Sequence, residues 1–227
     1  MKAAEMHKNE GMPSLAIDSM KERFQGLWTR CLRPGAPNDA KAIWMNMEAH
    51  YTEPHRHYHD KQHLAHCLKQ LDLAAEHIGR PDQVEMAIWF HDVINEPSAS
   101  DNEARSAAFF RYFAEGAMDE PFISAVVDLI LATTHREAPE DLDQQFICDI
   151  DLASFGCPWE CYLRDTMNLQ AEFPGSDEDF YTGKRTFLRA LLARDRIFQT
   201  DFFFDRYETQ ARENIRGFFR LFDQRSC

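Results

Sequence analysis

The fold of this chain is decided by residues 84–94, VEMAIWFHDVI. The segment up to Phe90 is apolar on nearly every side, and a helix that is apolar all round belongs in the centre of a bundle. His91 and Asp92 follow directly, so an imidazole and a carboxylate lie at the end of the most apolar helix. Because a buried charge without a partner costs several kcal/mol, a metal ion is the simplest compensating charge.

Helical periodicity precedes this segment. Between Asp60 and Ile78 the apolar residues recur every three or four positions, which predicts an amphipathic helix. Gly79-Arg80-Pro81 predicts its end. A short helix is expected before the loop 33–39, RPGAPND, and another after it.

Helical signals also follow the segment. Ser100 and Glu103 have the spacing of a capping box, which predicts a helix through Tyr112. Pro121 suits a helix start, and that helix is expected to continue up to His135. Further helical patterns lie at about 140–155, 158–172, 184–199 and 205–223. No run alternates with a period of two residues, so the predicted fold class is all-α.

The domain organisation is predicted to be simple. A chain of 227 residues is long enough for one full-sized helical domain and short for two. Residues 1–12 are polar and are interpreted as a flexible leader, so the helical domain is expected to span 13–227.

The charge balance limits the classes of partner. The formal net charge is -13, from 25 Lys and Arg against 38 Asp and Glu. Such a field repels nucleic-acid polymers and anionic membranes, whereas a small phosphorylated substrate is compatible with it because a metal and a few local cations dominate at contact range. The sequence shows neither a signal-peptide pattern nor a membrane-length apolar run, so a cytoplasmic protein is expected. The six cysteines are then interpreted as free thiols.

Histidines and aspartates cluster around the central segment. Eight of the ten histidines lie between residues 50 and 91. His59 and His63 are four apart and share one helix face. Asp149 and Asp151 are embedded in the apolar run FICDIDL, about 200° apart around a helix, so both cannot face one ion. Mixed imidazole and carboxylate donors suit a divalent ion such as Mn, Mg, Fe, Co or Ni.

Five ordered phrases resemble the HD superfamily of metal-dependent phosphohydrolases, over roughly residues 40–220. They are Tyr58-His59-x3-His63, Trp89-Phe90-His91-Asp92, Asp101-Asn102-Glu103, Thr133-Thr134-His135 and the run 149–156, DIDLASFG. The resemblance implies a single-domain HD-type helical bundle that binds one divalent metal and hydrolyses a nucleotide or another small phosphorylated metabolite. The chain departs from the pattern after His-Asp, where relatives tend to carry a tyrosine-containing loop and this chain has VINEP at 93–97.

The resemblance also implies a ligand set, His63, His91, Asp92 and Asp151. His59 competes with His63 for the first role, and Asp149 competes with Asp151 for the last. In this interpretation Asp92 would bind the metal and orient the attacking water.

Four further residues receive open assignments. Glu103 is either an auxiliary base or the acid of its capping box. His135 is either a contact for phosphate or a second metal, or a helix C-cap. Lys184 and Arg185 are expected to begin a helix and to face the substrate phosphate.

Two other functions are kept as alternatives. One is a metal-binding regulatory or ligand-sensing module without turnover. The other is a di-iron HD oxygenase, to which His59 and His135 would supply extra ligands.

Overall fold

A computed structural model describes residues 17–222, and its regular structure over that range is entirely helical. The predicted all-α class is confirmed, and the buried hydrophobic residues form one core. The predicted leader, residues 1–12, and its boundary with the domain lie outside the described residues. The helices are α1 (Ile17–Cys31), α2 (Ala40–His50), α3 (Lys61–Ala74), α4 (Pro81–Phe90), α5 (Asn102–Ala114), α6 (Glu120–Ala132), α7 (Leu142–Leu152), α8 (Trp159–Glu172), α9 (Asp177–Ala193) and α10 (Asp201–Phe222).

Helix α4 is the centre of the bundle, as its sequence predicts. Every residue from Val84 to Phe90 is buried, and α4 packs against α1, α3, α5, α6 and α7. Aromatic rings make much of this packing: the Trp89 centroid lies 5.6 Å from that of Phe24 and 5.9 Å from that of Trp44. No helix within residues 17–222 has both the length and the apolar character that crossing a membrane requires.

The start of α5 differs from its prediction. Asp101 precedes the helix without a side-chain cap, so the capping box expected from Ser100 and Glu103 is wrong. The Asn102 side chain instead binds the backbone of the preceding loop, accepting from Glu96 N and donating to Glu96 O at 3.0 Å each. A contact six residues away in sequence therefore replaces the local cap.

Two other helix ends also differ. Helix α6 ends at Ala132, and His135 lies beyond it with a positive φ of 53°. Helix α9 begins at Asp177, because Ser176 Oγ accepts from Asp179 N at 3.2 Å and three acidic residues fill the first turn. The expectation that Lys184 begins a helix is therefore wrong, since it lies in the middle of α9.

A buried arginine ties together the two loops that lead into the site. The Arg56 guanidinium donates to the carbonyls of His59 and Asp92 at 2.8 and 2.7 Å, and to that of Val93 at 2.8 Å. Its charge is balanced by Glu53, whose Oε2 lies 3.0 Å from Arg56 Nε. The chain entering α3 and the chain leaving α4 are thus held at a fixed separation.

Candidate metal centre

Side chains from three helices converge at the C-terminal end of α4. His63, on α3, brings Nε2 within 3.4 Å of Nε2 of His91, which caps α4. Asp92 Oδ2 lies 3.4 Å from His63 Nε2 and 3.0 Å from His91 Nε2. Asp151, on α7, places Oδ1 3.3 Å from His63 Nε2 and 3.7 Å from His91 Nε2. The fold thus brings together the four residues that the sequence interpretation assigned as ligands.

A fifth side chain, Cys67, also reaches the cluster. Its Sγ lies 3.6 Å from His63 Nε2, and donor atoms of His63, Cys67, His91 and Asp151 all lie within 4.8 Å of one another. Cys67 follows His63 by one helical turn on the same face, and this spacing was visible in the sequence. Sequence reasoning gave it no role because its thiol also fits the buried stripe of α3.

The imidazole of His91 is oriented by the backbone. Its Nδ1 donates to the Ile88 carbonyl at 2.8 Å, because a carbonyl oxygen can only accept. When the ring is neutral, this bond fixes the tautomer and directs the Nε2 lone pair into the cluster, an arrangement that is common among metal-binding histidines. On α3, the side chain of Asp60 caps the helix by accepting from Gln62 N and His63 N. His63 is thereby held in the first helical turn.

Electrostatic contacts within the cluster outweigh the effect of burial. Burial lowers the pKa of His91, yet the charge of Asp92 and the hydrogen bond to Asp151 hold it well above its ordinary value. Burial raises the pKa of Asp92, yet the His91 charge holds it well below the usual range. The pKa of Asp151 is likewise low, because hydrogen bonds from His135 and His63 overcome burial. Without a metal, the carboxylates are therefore ionised and paired with imidazoles.

These distances fit a divalent metal ion. An ion about 2.1 Å from each nitrogen and oxygen ligand holds neighbouring donor atoms about 3.0–3.4 Å apart in octahedral or tetrahedral geometry. The separations between the two histidine Nε2 atoms, and from these atoms to the Asp92 and Asp151 oxygens, run from 3.0 to 3.7 Å. Within residues 17–222, the ion pairs of Asp92 and Asp151 are with histidines alone. An ion there would replace protons as the partner of the two carboxylates.

His135 supports Asp151 from outside this set. Its Nε2 lies 2.8 Å from Asp151 Oδ2, the oxygen that does not contact His63. The positive φ of His135 turns the chain just after α6. The ring of His135 therefore contacts the cluster, whereas the C-cap of α6 is Thr133, so the C-cap alternative for His135 is wrong.

Asp149 lies away from the cluster. Its carboxylate accepts from Gln199 N and Thr200 N at 2.8 Å each and from Thr200 Oγ1 at 2.7 Å, just before α10 begins. Burial raises the pKa of Asp149 to about 6 despite these bonds. Of the two aspartates that competed for the last ligand position, Asp151 is the one in the cluster.

His59 is held beside the cluster by a carboxylate from a distant helix. Its Nδ1 donates to Glu172 Oε2 at 2.6 Å. Glu172 Oε1 also accepts the backbone N–H groups of His57, Tyr58 and His59 at 2.7, 2.7 and 2.8 Å. Burial opposes its ionisation, yet these bonds and the nearby imidazole lower the pKa of Glu172 to about 2. Sequence reasoning missed Glu172, because nothing local marks a contact across 113 residues.

A cavity of about 490 Å³ opens onto the cluster. The side chains of Asp92 and Asp151 are 20% and 21% exposed. Those of His63 and His91 are only 2% and 3% exposed. The carboxylates are therefore the part of the cluster that is open to solvent. Glu103 also lines the cavity, and its side chain makes no hydrogen bond to another described residue. One part of the wall is apolar and is formed by Leu152, Phe155, Leu169, Phe173, Phe180 and Phe187.

Lys184 lines the same cavity, whereas Arg185 does not. The Lys184 ammonium lies 5.9 to 6.0 Å from the ring centroids of four aromatic side chains, Phe155, Tyr162, Phe180 and Phe218. Burial lowers the pKa of Lys184 to about 8. Arg185 instead donates to the Phe222 carbonyl at 2.9 Å. Of the two cations expected near a substrate, only Lys184 lines the cavity.

Comparisons of the chain with models of known families, with curated proteins and with solved structures found no match. The functional argument therefore depends on the chemistry of the site itself.

Proposed function

We propose that this chain is a metal-dependent phosphohydrolase of the HD type, acting on a nucleotide or another small phosphorylated metabolite. The observation that carries the proposal is the convergence of His63, His91, Asp92 and Asp151 at ligand spacing beside a cavity. These four residues would hold one divalent ion, with the Cys67 thiol next to them. The order of the same residues in the sequence supports the proposal independently, through the resemblance to HD phosphohydrolases.

A bound divalent ion would supply Lewis-acid activation of water and neutralise phosphoryl charge. The protein's own part is to position groups around that chemistry. Asp92 and Asp151 present partly exposed carboxylates to the cavity, and His135 fixes the orientation of Asp151. Glu103, unpaired on the cavity wall, would accept a proton from water or hydrogen-bond the substrate.

His59 would act beside the ion rather than as one of its ligands. Glu172 fixes its tautomer by accepting the Nδ1 proton, which leaves Nε2 as the ring nitrogen that Glu172 does not hold. His59 also lines the cavity, so it is available to a substrate group next to the metal. This arrangement assigns Glu172 as the positioning residue for His59.

Substrate recognition would depend on Lys184 and on the apolar wall. The Lys184 ammonium forms no ion pair or hydrogen bond with another described residue; aromatic rings surround it, and the charge of Asp165 acts on it from outside that ring of contacts. In a protein with a formal net charge of -13, a local cation is needed to attract an anionic substrate. We therefore assign Lys184 to an anionic group of the substrate and the phenylalanine wall to its apolar part.

The two alternatives make different use of the same residues. A di-iron oxygenase would need His59 and His135 as extra ligands, whereas both rings bind carboxylates, those of Glu172 and Asp151. A ligand-sensing module would bind the metal and the phosphorylated molecule without turnover. Neither alternative has an observation that favours it over hydrolysis.

The experiment is a metal analysis combined with an activity screen. The purified chain is assayed for phosphate release from a panel of nucleotides, sugar phosphates and aryl phosphates with Mn²⁺, Mg²⁺, Co²⁺ or Ni²⁺. We expect one divalent ion per chain and metal-dependent release that Asp92→Asn abolishes. Asp119→Asn is the matched control, because that side chain is 73% exposed and far from the cluster in the fold. Metal and ligand binding without release would support the sensing module, and two irons per chain would support the oxygenase.

A further inference from the structure

Two cysteines lie together at the start of α8, outside the metal cluster. Cys157 directly precedes Pro158, and Cys161 occupies the first turn, where its backbone N–H donates to Pro158 O at 2.9 Å. The two Sγ atoms and a carboxylate oxygen of Asp165 all lie within 4.8 Å of one another. Both cysteines are half-buried, so small molecules in solution can reach them.

An arginine already supplies the positive charge at this pair. Arg164 Nη2 lies 3.0 Å from Cys161 Sγ and 3.1 Å from Asp165 Oδ1. A metal ion would have to compete with this guanidinium, and the group offers three donors where a structural zinc site has four. Cys161 Sγ also lies 3.8 Å from Asp165 Oδ2, and the Arg164 guanidinium that donates to the sulfur would stabilise negative charge on it during nucleophilic attack. The surroundings of Cys161 therefore favour thiol chemistry over metal binding.

The two thiols are not equivalent. Burial and the neighbouring Cys161 raise the pKa of Cys157, so its thiol remains protonated near neutral pH. Cys161 is the one that contacts Arg164. This asymmetry gives an attacking thiol and a second thiol that resolves the product, the arrangement found in oxidant-sensitive cysteine pairs.

We propose that Cys157 and Cys161 form a redox-active dithiol that a hydroperoxide converts to an intramolecular disulfide. The Cys161 sulfur attacks the peroxide, the O–O bond breaks, and the proton of the Cys161 thiol passes to the departing hydroxide, so Cys161 becomes a sulfenic acid and the first water leaves. The Cys157 sulfur then attacks the Cys161 sulfur, the S–S bond forms as the S–O bond breaks, and the proton of the Cys157 thiol leaves with the hydroxyl as a second water. Two thiols are oxidised and one hydrogen peroxide is reduced to two waters, so the reaction balances.

The backbone that leads into the pair is held by a side chain of α10. Asn214 Nδ2 donates to the carbonyls of Phe155 and Cys157 at 2.8 Å each, which holds the chain before α8 in place. The sulfurs lie within 4.8 Å of each other and would have to approach to about 2.05 Å, so closure of the disulfide requires their side chains to rotate. The pair lines a small cavity of about 110 Å³ that Tyr58 and His63 also line, so the oxidation would occur next to the metal cluster.

The test is oxidation of the whole chain followed by thiol mapping. Reduced protein, freed of reductant, is treated with a small excess of hydrogen peroxide, and the remaining thiols are alkylated under denaturing conditions. We expect the loss of two alkylatable thiols and a protein about 2 Da lighter before alkylation, with both changes reversed by dithiothreitol. Trypsin releases residues 137–164 as one peptide that also contains Cys148, so within it only Cys148 should be alkylated.

The variants distinguish this site from general oxidation. Cys31→Ser is the matched control, because Cys31 is also half-buried but lies on α1, and it should form the disulfide as the wild type does. Cys157→Ser should stop at a Cys161 sulfenic acid that dimedone traps, and Cys161→Ser should form neither product. Unchanged thiols at Cys157 and Cys161 in the wild type would overturn the proposal. It would also be overturned by stoichiometric zinc that both thiols bind and that blocks oxidation.

Discussion

Glu172 should stabilise the segment that carries the site, and Glu172→Ala tests this. The carboxylate accepts three backbone N–H groups from residues 57–59 and the ring N–H of His59, all at 2.6 to 2.8 Å. Hydrogen bonds to a charged group contribute about 1.5–3 kcal/mol each. Because water can replace part of this set in a half-exposed loop, we expect a total loss of about 2–4 kcal/mol. For a chain of this length that is a fall of roughly 5–15 °C in Tm.

The pH dependence of the stability provides a second test of the role of Glu172. The pKa of Glu172 is lowered from 4.5 to about 2 in the folded protein. The contribution of Glu172 to the free energy of unfolding is therefore fully present when the pH is above the pKa of the unfolded state. It is lost as the pH falls through the pKa of the folded state. The difference in Tm between wild type and Glu172→Ala should accordingly shrink from about pH 4.5 towards pH 2, while it stays constant at higher pH.

The assay is thermal unfolding of chelator-treated protein, so that metal binding does not contribute. Glu160→Ala is the control, because Glu160 lies exposed on the same helix and should change stability by less than about 0.5 kcal/mol. Glu172→Gln should lower Tm by less than Glu172→Ala does, since one carbonyl oxygen remains to accept from the backbone N–H groups. If Glu172→Ala and Glu160→Ala melt within about 1 °C of each other, the assigned role of Glu172 is refuted.

Three further predictions concern the metal and the substrate. Asp151→Asn should abolish metal binding in a metal titration. Asp149→Asn should keep the wild-type stoichiometry, because the Asp149 carboxylate binds the backbone before α10 and not the cluster. The opposite ranking would move the ligand to Asp149. Removal of the metal with a chelator should lower Tm by about 5–10 °C, because a free ion at a hundredfold excess over its Kd stabilises the folded protein by about 2.7 kcal/mol. An unchanged melting curve after confirmed metal removal would contradict this prediction. Lys184→Met should lower kcat/KM for the best phosphate ester at least about tenfold, with the metal content unchanged. The KM of the wild type should rise above a pH of about 8, because the ammonium then loses its charge. Equal kinetics in the wild type and the variant would remove Lys184 from the substrate site.

Much of the fold followed from local patterns. The central position of α4 could be predicted because Val84 to Phe90 leave no polar face for solvent. The placement of Asp151 in the cluster and Asp149 outside it agrees with the rotation of about 200° between helical positions two apart. Periodicity is a property of neighbouring residues, so it survives in the folded chain wherever the helix is regular.

Other features depend on contacts that the sequence does not display. The pairing of Glu172 with His59 joins the end of α8 to the loop before α3, and only the packing of the bundle brings them together. The capping box failed for the same reason, since Asn102 found a backbone partner in the preceding loop. The prediction that a helix begins at Lys184 overlooks Ser176 and the acidic residues after it. These residues are the cap and the first turn of α9.

The most direct test of the central claim is the metal stoichiometry of His91→Ala. His91 and Asp92 are adjacent at the end of α4, and His91 Nε2 lies 3.0 Å from Asp92 Oδ2. Elemental analysis of purified protein should give one divalent ion per chain for the wild type and for His77→Ala, whose histidine is exposed. It should give none for His91→Ala, while circular dichroism shows the same helical content in all three. One ion per chain retained in His91→Ala would contradict the assignment of the metal centre.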